Sequence, residues 1–451
     1  MEQIKAEIKH LIELRNWKAL RQRIEHWVIP EIADLMSDMN SADRVVIFRS
    51  LPREISADVF SYFEPFEQDE LLSDLTNAET RALLANLDPD DRTALLEELP
   101  ANFTRKMLGL LNEEDLKEAR LLLGYPEESV GRLMTPDYVS IRPDWTVREA
   151  LTHIRREGKD KETINRIYVT DESEKLIDDI RLRRIILGDP DQQVKDLLDD
   201  SFISLSAFHD REKAVEIMQD YDIIAVPVVD SIGVLLGIVT VDDVMDVAEE
   251  EVTEDIHKQA SISPLKMSYY HASVWDLYSK RVGWLIALVI MNLTSSAVIA
   301  LYEERLAAAI SLVFFLPILL GSAGNTGSQS ATLLIRALVT GDVQTHEWLR
   351  TLIKELAVGA LLGATLGILT WLLGTLRGGG FGARGLRTGF TVGATMVAIV
   401  IVANIVGIVL PFVLTRLKLD PAVASSPLIT TIADATGLLI YFSFATWILN
   451  I

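Results

Sequence analysis

The 451-residue sequence has no cysteine, so disulfides and thiolate metal sites are excluded, in keeping with a reducing compartment. Its first ten residues, Met-Glu-Gln-Ile-Lys-Ala-Glu-Ile-Lys-His, lack an apolar core. No cleavable signal peptide is expected, and the first half should stay in the cytoplasm. Histidine is rare, at 7 residues, and His346-Glu347 is not followed by the second His of a His-Glu-x-x-His signature, which removes the zinc metalloprotease class. Positive charge is in deficit, with 43 Lys and Arg against 65 Asp and Glu. The deficit is uneven. Residues 271–451 carry 11 basic and 8 acidic side chains, which leaves 32 against 57, a net −25, on residues 1–270. An acidic half of this kind offers no basic surface to nucleic acid or anionic lipid and suits multivalent cations.

What is present divides along the chain into a multidomain protein. Residues 1–128 read as short amphipathic helices, with Leu, Ile and Phe three and four apart. Leu51-Pro52, Glu64-Pro65, Asp88-Pro89 and Leu99-Pro100 punctuate them, and Asp88 suits an N-cap. An all-α helical domain stacked like a solenoid is expected. Residues 129–192 and 193–248 repeat one another: Val130–Ile141 is echoed by Val194–Leu205, and each copy continues helix, strand, strand, helix. This order, with Ala225-Val-Pro-Val-Val-Asp and Gly237-Ile-Val-Thr-Val-Asp-Asp243, resembles a tandem pair of α/β CBS domains, modules that sense ligands.

A linker helix is expected from about Val241 to Arg281, with 249–280 as its own segment. Five apolar stretches follow in residues 281–451, at about 283–302, 307–335, 353–376, 389–414 and 424–449, each long enough to cross a bilayer as a helix. Five crossings place the termini on opposite sides. Lys280, Arg281, Arg336, Arg350, Lys354, Arg416 and Lys418 outnumber Arg305, Arg377, Arg384 and Arg387 on the other side. That excess favours a multi-pass protein of the cytoplasmic membrane, its amino terminus in the cytoplasm and its carboxyl terminus outside.

Within the last stretch Asp434 stands alone, with no Lys, Arg or His to neutralise it. A carboxylate at that depth costs about 2.5–3.5 kcal/mol and marks a partner, a cavity or an ion path. Hydroxyls of a neighbouring helix are the plain alternative to a cation. Gly321-Ser-Ala-Gly-Asn-Thr-Gly-Ser-Gln-Ser330 interrupts the second stretch, and a broken helix there would expose carbonyls to an ion. Close packing through small residues is the other reading. Asn404 and Gly407 add a weaker signal. The stretches hold no His or Cys, so oxygen is the available ligand, and one carboxylate suits a hydrated Mg²⁺. Between 242 and 255 lie eight carboxylates and no Lys or Arg, with Asp242, Asp246, Glu250 and Glu254 at every fourth position. On a helix these repel one another unless a divalent cation bridges them or water solvates them.

The whole chain resembles the bacterial MgtE magnesium channels. The resemblance rests on Thr253-Glu-Asp-Ile-His-Lys258, Gly324–Leu333, Ala403-Asn-Ile-Val-Gly407 with Leu410-Pro411, Asp420-Pro-Ala422 and Thr431-Ile-Ala-Asp434-Ala-Thr-Gly437. It implies a homodimer in the bilayer with a pore between protomers, Asp434 as the essential pore carboxylate, and Mg²⁺ as both transported and regulatory ion. Asn325, Gly327, Ser328, Asn404, Thr430 and Thr431 are the pore-lining positions expected beside it. Sensor carboxylates carry over to Asp210, Glu212, Asp222, Asp243, Asp246, Glu254, Asp255 and Asp420, with Asp88 and Asp91 matching more loosely and Glu250 joining from the acidic stripe. Ser328 departs from the Asn of many relatives. Arg183 and Arg184 stand in the first CBS copy where the second has Asp242 and Asp243, so only Thr240 and Asp243 are placed to hold an adenine nucleotide such as ATP. The expected function is Mg²⁺ import closed by cytosolic Mg²⁺, without enzymatic chemistry; transport of another divalent ion such as Co²⁺, or a receptor that conducts nothing, are the rivals.

Overall fold

A computed structural model describes residues 2–449 except 25, 200, 266–268, 270, 271 and 304–309. Arg305 and the start of the second apolar stretch lie outside the described residues. The chain divides into two compact units, Met1–Glu251 and Val252–Ile451.

In the first unit, ten short helices among the described residues run from Glu2–Glu13 to Glu113–Leu122. Each packs on neighbours one or two positions along, as in a solenoid. Leu35, Ile47, Val59, Phe60, Leu71 and Leu84 form the apolar spine. Pro65 and Pro89 occupy first turns, where a missing N–H is tolerated. Asp88 sits at the expected cap position, but its side chain makes no capping hydrogen bond, which leaves the carboxylate available for other partners.

The CBS copies each form a three-stranded sheet. In the first, β1 (Ser140–Ile141) runs parallel to β2 (Arg166–Thr170), which pairs antiparallel with β3 (Leu176–Arg181). In the second, β4 (Leu205–Ser206), β5 (Ala225–Val229) and β6 (Leu235–Thr240) repeat this order and even its register shift. The copies interlock: Leu176 N–H donates to the Gly233 carbonyl, and Leu235 N–H to the Glu174 carbonyl, both at 3.0 Å. Thr135 and Ile238 exchange two backbone bonds of 2.8 Å. Gly237 is required at that crossing, since a Cβ there would lie 2.6 Å from the Thr135 carbonyl oxygen.

The linker helix is shorter than expected. It spans Val241–Gln259 and ends there, because Ile262 N–H closes back on the His257 carbonyl at 2.8 Å and Ser261 adopts a left-handed φ of 58°. The next helix begins at Val274, where Ser273 and Asp276 form a capping box.

The second unit contains five long helices among the described residues: Val274–Leu301, Leu316–Val339, Trp348–Arg377, Ala383–Arg416 and Ser426–Leu449, here called the first to the fifth. Four of them are long and apolar enough to cross a membrane; the second falls short in apolarity because Gly321–Ser330 dilutes it. The expected break is absent: the second helix is continuous from Leu316 to Val339, its small residues packed instead of unwound. The fourth helix is central and packs on the second, third and fifth, while the first leans on the fifth. Along the seam of the third and fourth, Gly359, Gly363 and Gly367 meet Asn404, Val397 and Gly393, a small-residue spacing that lets backbones approach.

Candidate functional site

Asp434 lies in the third turn of the fifth helix, half-exposed, between the buried Ala433 and Gly437. Its carboxylate makes no hydrogen bond or ion pair with any described residue. The alternative of a carboxylate satisfied by neighbouring hydroxyls therefore has no support among the described residues. On the second helix, Gly321, Asn325 and Gln329 recur one turn apart on an uncovered face, whereas Ala323, Gly324, Thr326, Gly327 and Ser330 are buried. Thr430 packs on Gly324, where a Cβ would come within 2.8 Å of its methyl group. Ser328 reaches the start of the fifth helix, its hydroxyl 2.8 Å from that of Ser426.

The other positions expected to line a pore face inward. Gly327 lies against the Ala403 carbonyl and Ile429, and Thr431 is buried with its hydroxyl donating to the Pro427 carbonyl at 2.8 Å. Asn404 is 1% exposed, with its amide N–H directed at Glu355 of the third helix. The physical reason is helix packing: a small or hydrogen-bonded residue at a three-helix junction satisfies its polar atoms there.

In the first unit a carboxylate cluster forms where the helical domain meets the CBS pair. Asp90 and Asp91 open the helix Pro89–Glu98, Asp242 and Asp243 open the helix Val241–Gln259, and Glu162 comes from a loop of the first CBS copy. Burial, then the charges of Asp243, Asp91 and Glu162, push the Asp90 carboxyl well above its usual range. Burial and then Asp88 raise Asp91 to about 6. Asp243 is raised to about 7, mainly by burial, with Asp242, Asp91 and Glu162 adding to it against a hydrogen bond from Thr240. Glu162 rises to about 7, by burial and by Asp88, Asp242, Asp91 and Asp137. Two helix N-termini partly offset the repulsion. The cluster holds a proton or a cation more readily than isolated carboxylates do. Among the described residues no three acidic or histidine side chains converge tightly enough to hold a metal ion through protein ligands alone. One or two carboxylates with retained water is the arrangement Mg²⁺ prefers.

The remaining sensor candidates are dispersed. Asp210 accepts from the Glu212 N–H at 3.0 Å, closing a turn, and Asp222 ends the helix Glu212–Tyr221 with φ 50°. Asp246 is exposed on the linker helix. Glu250 already has a cation, Arg211, at 2.8 Å, and Arg211 also donates to Glu251 at 2.9 Å. In the second unit Lys258 joins Glu254 to Asp420, the latter at 2.6 Å. Burial would lower the Lys258 pKa, but the hydrogen bonds it donates to Asp420 and Glu254 hold it above the lysine range. Asp255 nearby is raised by burial and then by Asp420. The Ser261 and Ser425 hydroxyls meet at 2.6 Å, so the end of the linker helix is pinned to the turn that leads into the fifth helix.

Thr240 donates to Asp243 at 2.8 Å in the second CBS copy. In the first, Arg181 and Arg184 take the equivalent places beside a cavity of about 660 Å³ that also receives Arg166 and Arg183. Reading the sequence missed Glu162, Asp137 and Glu355. The first two are isolated in sequence and gathered only by tertiary folding, whereas Glu355 was visible as a carboxylate inside the third apolar stretch.

Comparison with known proteins agrees with this layout. A family described as a divalent cation transporter (MgtE) matches residues 316–444, its intracellular N domain matches 28–128, and the CBS domain matches 130–188 and 194–250. A protein of Thermus thermophilus named magnesium transporter MgtE is 39% identical over 453 residues, covering 100% of this chain and 99% of its own. Another of that name from Bacillus subtilis is 32% identical, covering 93% and 94%. Among solved structures, the cytosolic domain of the Mg²⁺ channel MgtE in complex with ATP is 33% identical, with TM-score 0.52, over 54% of this chain and 99% of its own. The soluble part of a magnesium transporter is 31% identical, with TM-score 0.53, over 56% and 99%.

Proposed function

This chain belongs to the MgtE family of membrane magnesium transporters, and from that premise we propose a Mg²⁺-selective channel that imports the ion and is closed by cytosolic Mg²⁺. The observation that carries the reading is Asp434, a carboxylate in a membrane helix without a partner among the described residues. Its partner in this reading is a hydrated Mg²⁺ passing between two protomers, each contributing one Asp434 and the uncovered Asn325–Gln329 face. Five long helices then put the carboxyl terminus outside and the acidic domains in the cytoplasm.

Regulation follows from electrostatics. When cytosolic Mg²⁺ is scarce, Asp90, Asp91, Asp242, Asp243 and Glu162 repel and favour separation of the elements that carry them. When it is abundant, bridging cations hold those elements together and the linker helix closes the pore through the Lys258–Asp420 and Ser261–Ser425 contacts. Such control requires a site that binds better in one state, and carboxylates converging in only one state supply it. Asp210, Glu212, Asp222, Asp246, Glu250, Glu254 and Asp255 are further ligands in this reading. An adenine nucleotide at Thr240 and Asp243 is a second ligand, supported by the ATP-bound relative.

The test is Mg²⁺ flux into liposomes holding the wild type or Asp434→Asn in one orientation. The wild type should pass Mg²⁺, and the variant should lose about a hundredfold, which corresponds to about 2.7 kcal/mol of lost stabilisation of the passing ion. Equal flux would refute the pore assignment. Added Co²⁺ should compete weakly if Mg²⁺ is the true cargo.

A further inference from the structure

Glu355 is a carboxylate set inside a membrane helix that the ion path above does not use. It lies seven residues, roughly 10 Å, in from Trp348 at the start of the third helix. No Lys, Arg or His among the described residues pairs with it. Its partners are polar and come from two other helices. Asn404 of the fourth helix donates its amide N–H to Glu355 Oε2 at 3.4 Å and to the Glu355 carbonyl at 3.3 Å. The Ser330 hydroxyl of the second helix lies 2.9 Å from Asn404 Oδ1 and 3.2 Å from Glu355 Oε2, within reach of either acceptor. Ser330 and Asn404 are 5% and 1% exposed, so water does not compete. Gly359, one turn on from Glu355, leaves the room that Asn404 fills; a Cβ there would lie 2.9 Å from its amide nitrogen.

Apart from the Ser328–Ser426 hydroxyl pair at the start of the fifth helix, this junction differs from the other contacts of the second helix. Gly324 on Thr430, and Gly327 on Ala403 and Ile429, are contacts of small groups that allow close approach without fixing rotation. The hydrogen bonds at Ser330 are directional. Ser330 and Asn325 are five residues apart, about 140° around the helix, so turning Ser330 inward turns Asn325 outward. We propose that Glu355 is a positioning residue for transport: acting through Asn404 and Ser330, it fixes the rotation of the second helix so that Asn325 faces the ion path and Thr326 stays in the packing. The inference rests on the proposed path only for what Asn325 faces.

The absence of native cysteine makes the rotation measurable. Asn325→Cys and Thr326→Cys are each placed in the full chain in liposomes, and their labelling by a water-soluble thiosulfonate reagent is timed. In the otherwise native chain Asn325→Cys should react at least about tenfold faster, since buried thiols are inert. Equal rates there would count against the proposed path itself. With Glu355→Ala added, the ratio should fall to about threefold or less, and Glu355→Gln, which keeps an acceptor for Asn404, should restore it. An unchanged ratio in Glu355→Ala would overturn the inference, as would equal loss in Ala and Gln, which would assign the effect to charge. Where Glu355→Ala does not elute as the folded protein, Ser330→Ala severs the same link from the second helix and is read the same way.

Discussion

Carboxylates meet opposite circumstances in the two compact units. In Met1–Glu251 they are plentiful and gathered by folding: Asp90, Asp91, Asp243 and Glu162 share one region, and each is pushed upward by burial and by its neighbours. In Val252–Ile451 the long helices hold few, and their fates diverge. Asp434 has no partner among the described residues, while Glu355 is held by the amide and hydroxyl of two other helices. In the proposed reading, the contrast amounts to one ion handled by two chemistries. A cluster of mutually repelling acids makes a conditional site whose occupancy depends on concentration. A solitary acid in an apolar helix makes a site that an ion visits and leaves.

After the loss expected at Asp434, the largest effect that would sharpen this comparison is expected on the sensing side. Asp246→Asn with Glu254→Gln should raise the cytosolic Mg²⁺ that halves conduction by about tenfold or more, through loss of two charge contacts of about 1.4 kcal/mol in total. Electrophysiology on excised patches reads it, and an unaltered inhibition curve would remove both residues from the sensor.

Next comes packing in the membrane unit. A Cβ on Gly407 would lie 2.4 Å from the Gly327 carbonyl oxygen, so Gly407→Ala should destabilise the protein by about 1–3 kcal/mol and lower its yield from membranes. Normal yield and melting would show that the second and fourth helices are not so closely apposed.

A smaller effect concerns pH. The raised carboxyls bind protons more tightly in the folded state, so their contribution to stability is complete below about pH 4 and is lost as pH rises through about 6 to 7. In EDTA, the first thermal transition of the full chain should fall by about 3–6 °C between pH 5.5 and 8. Millimolar Mg²⁺ should flatten that slope by replacing the protons. Asp91→Asn with Asp243→Asn should flatten it without Mg²⁺, and a slope that survives in this variant would place the titrating groups elsewhere.

The smallest is at the linker end. Lys258→Met removes the ammonium between Glu254 and Asp420, and should shift the gating midpoint by about threefold or less, since part-exposed ion pairs contribute about 1 kcal/mol at most. A shift of tenfold would mean that Lys258 is itself a principal ligand competitor.

Much of this was legible from composition and period. The repeat in 130–250 and four of the apolar stretches fall close to the observed helices and strands, because a hydrophobic run of bilayer length and a strand–turn–strand pattern are local signals. The linker helix is shorter than its acidic periodicity and the helix-forming residues beyond it suggest, and the Ser273–Asp276 capping box starts a new helix. The second helix is continuous where its sequence suggests a break, since glycine and serine signal a break in isolation but close packing in a bundle. Asn404, expected beside the pore, is buried against Glu355 and Ser330, partners that only the fold supplies. Nothing local in the sequence singles out Glu162, because Asp88, Asp91 and Asp242, which crowd it in space, lie some 70 to 80 residues away in the chain.

The most direct test is to silence one chemistry and watch the other. In Asp434→Asn, Mg²⁺ flux and Mg²⁺-dependent protection of the amino-terminal unit from protease are measured on the same preparation. The account predicts flux lower by about a hundredfold with the protection midpoint unmoved. Retained flux, or protection lost together with flux, would contradict it.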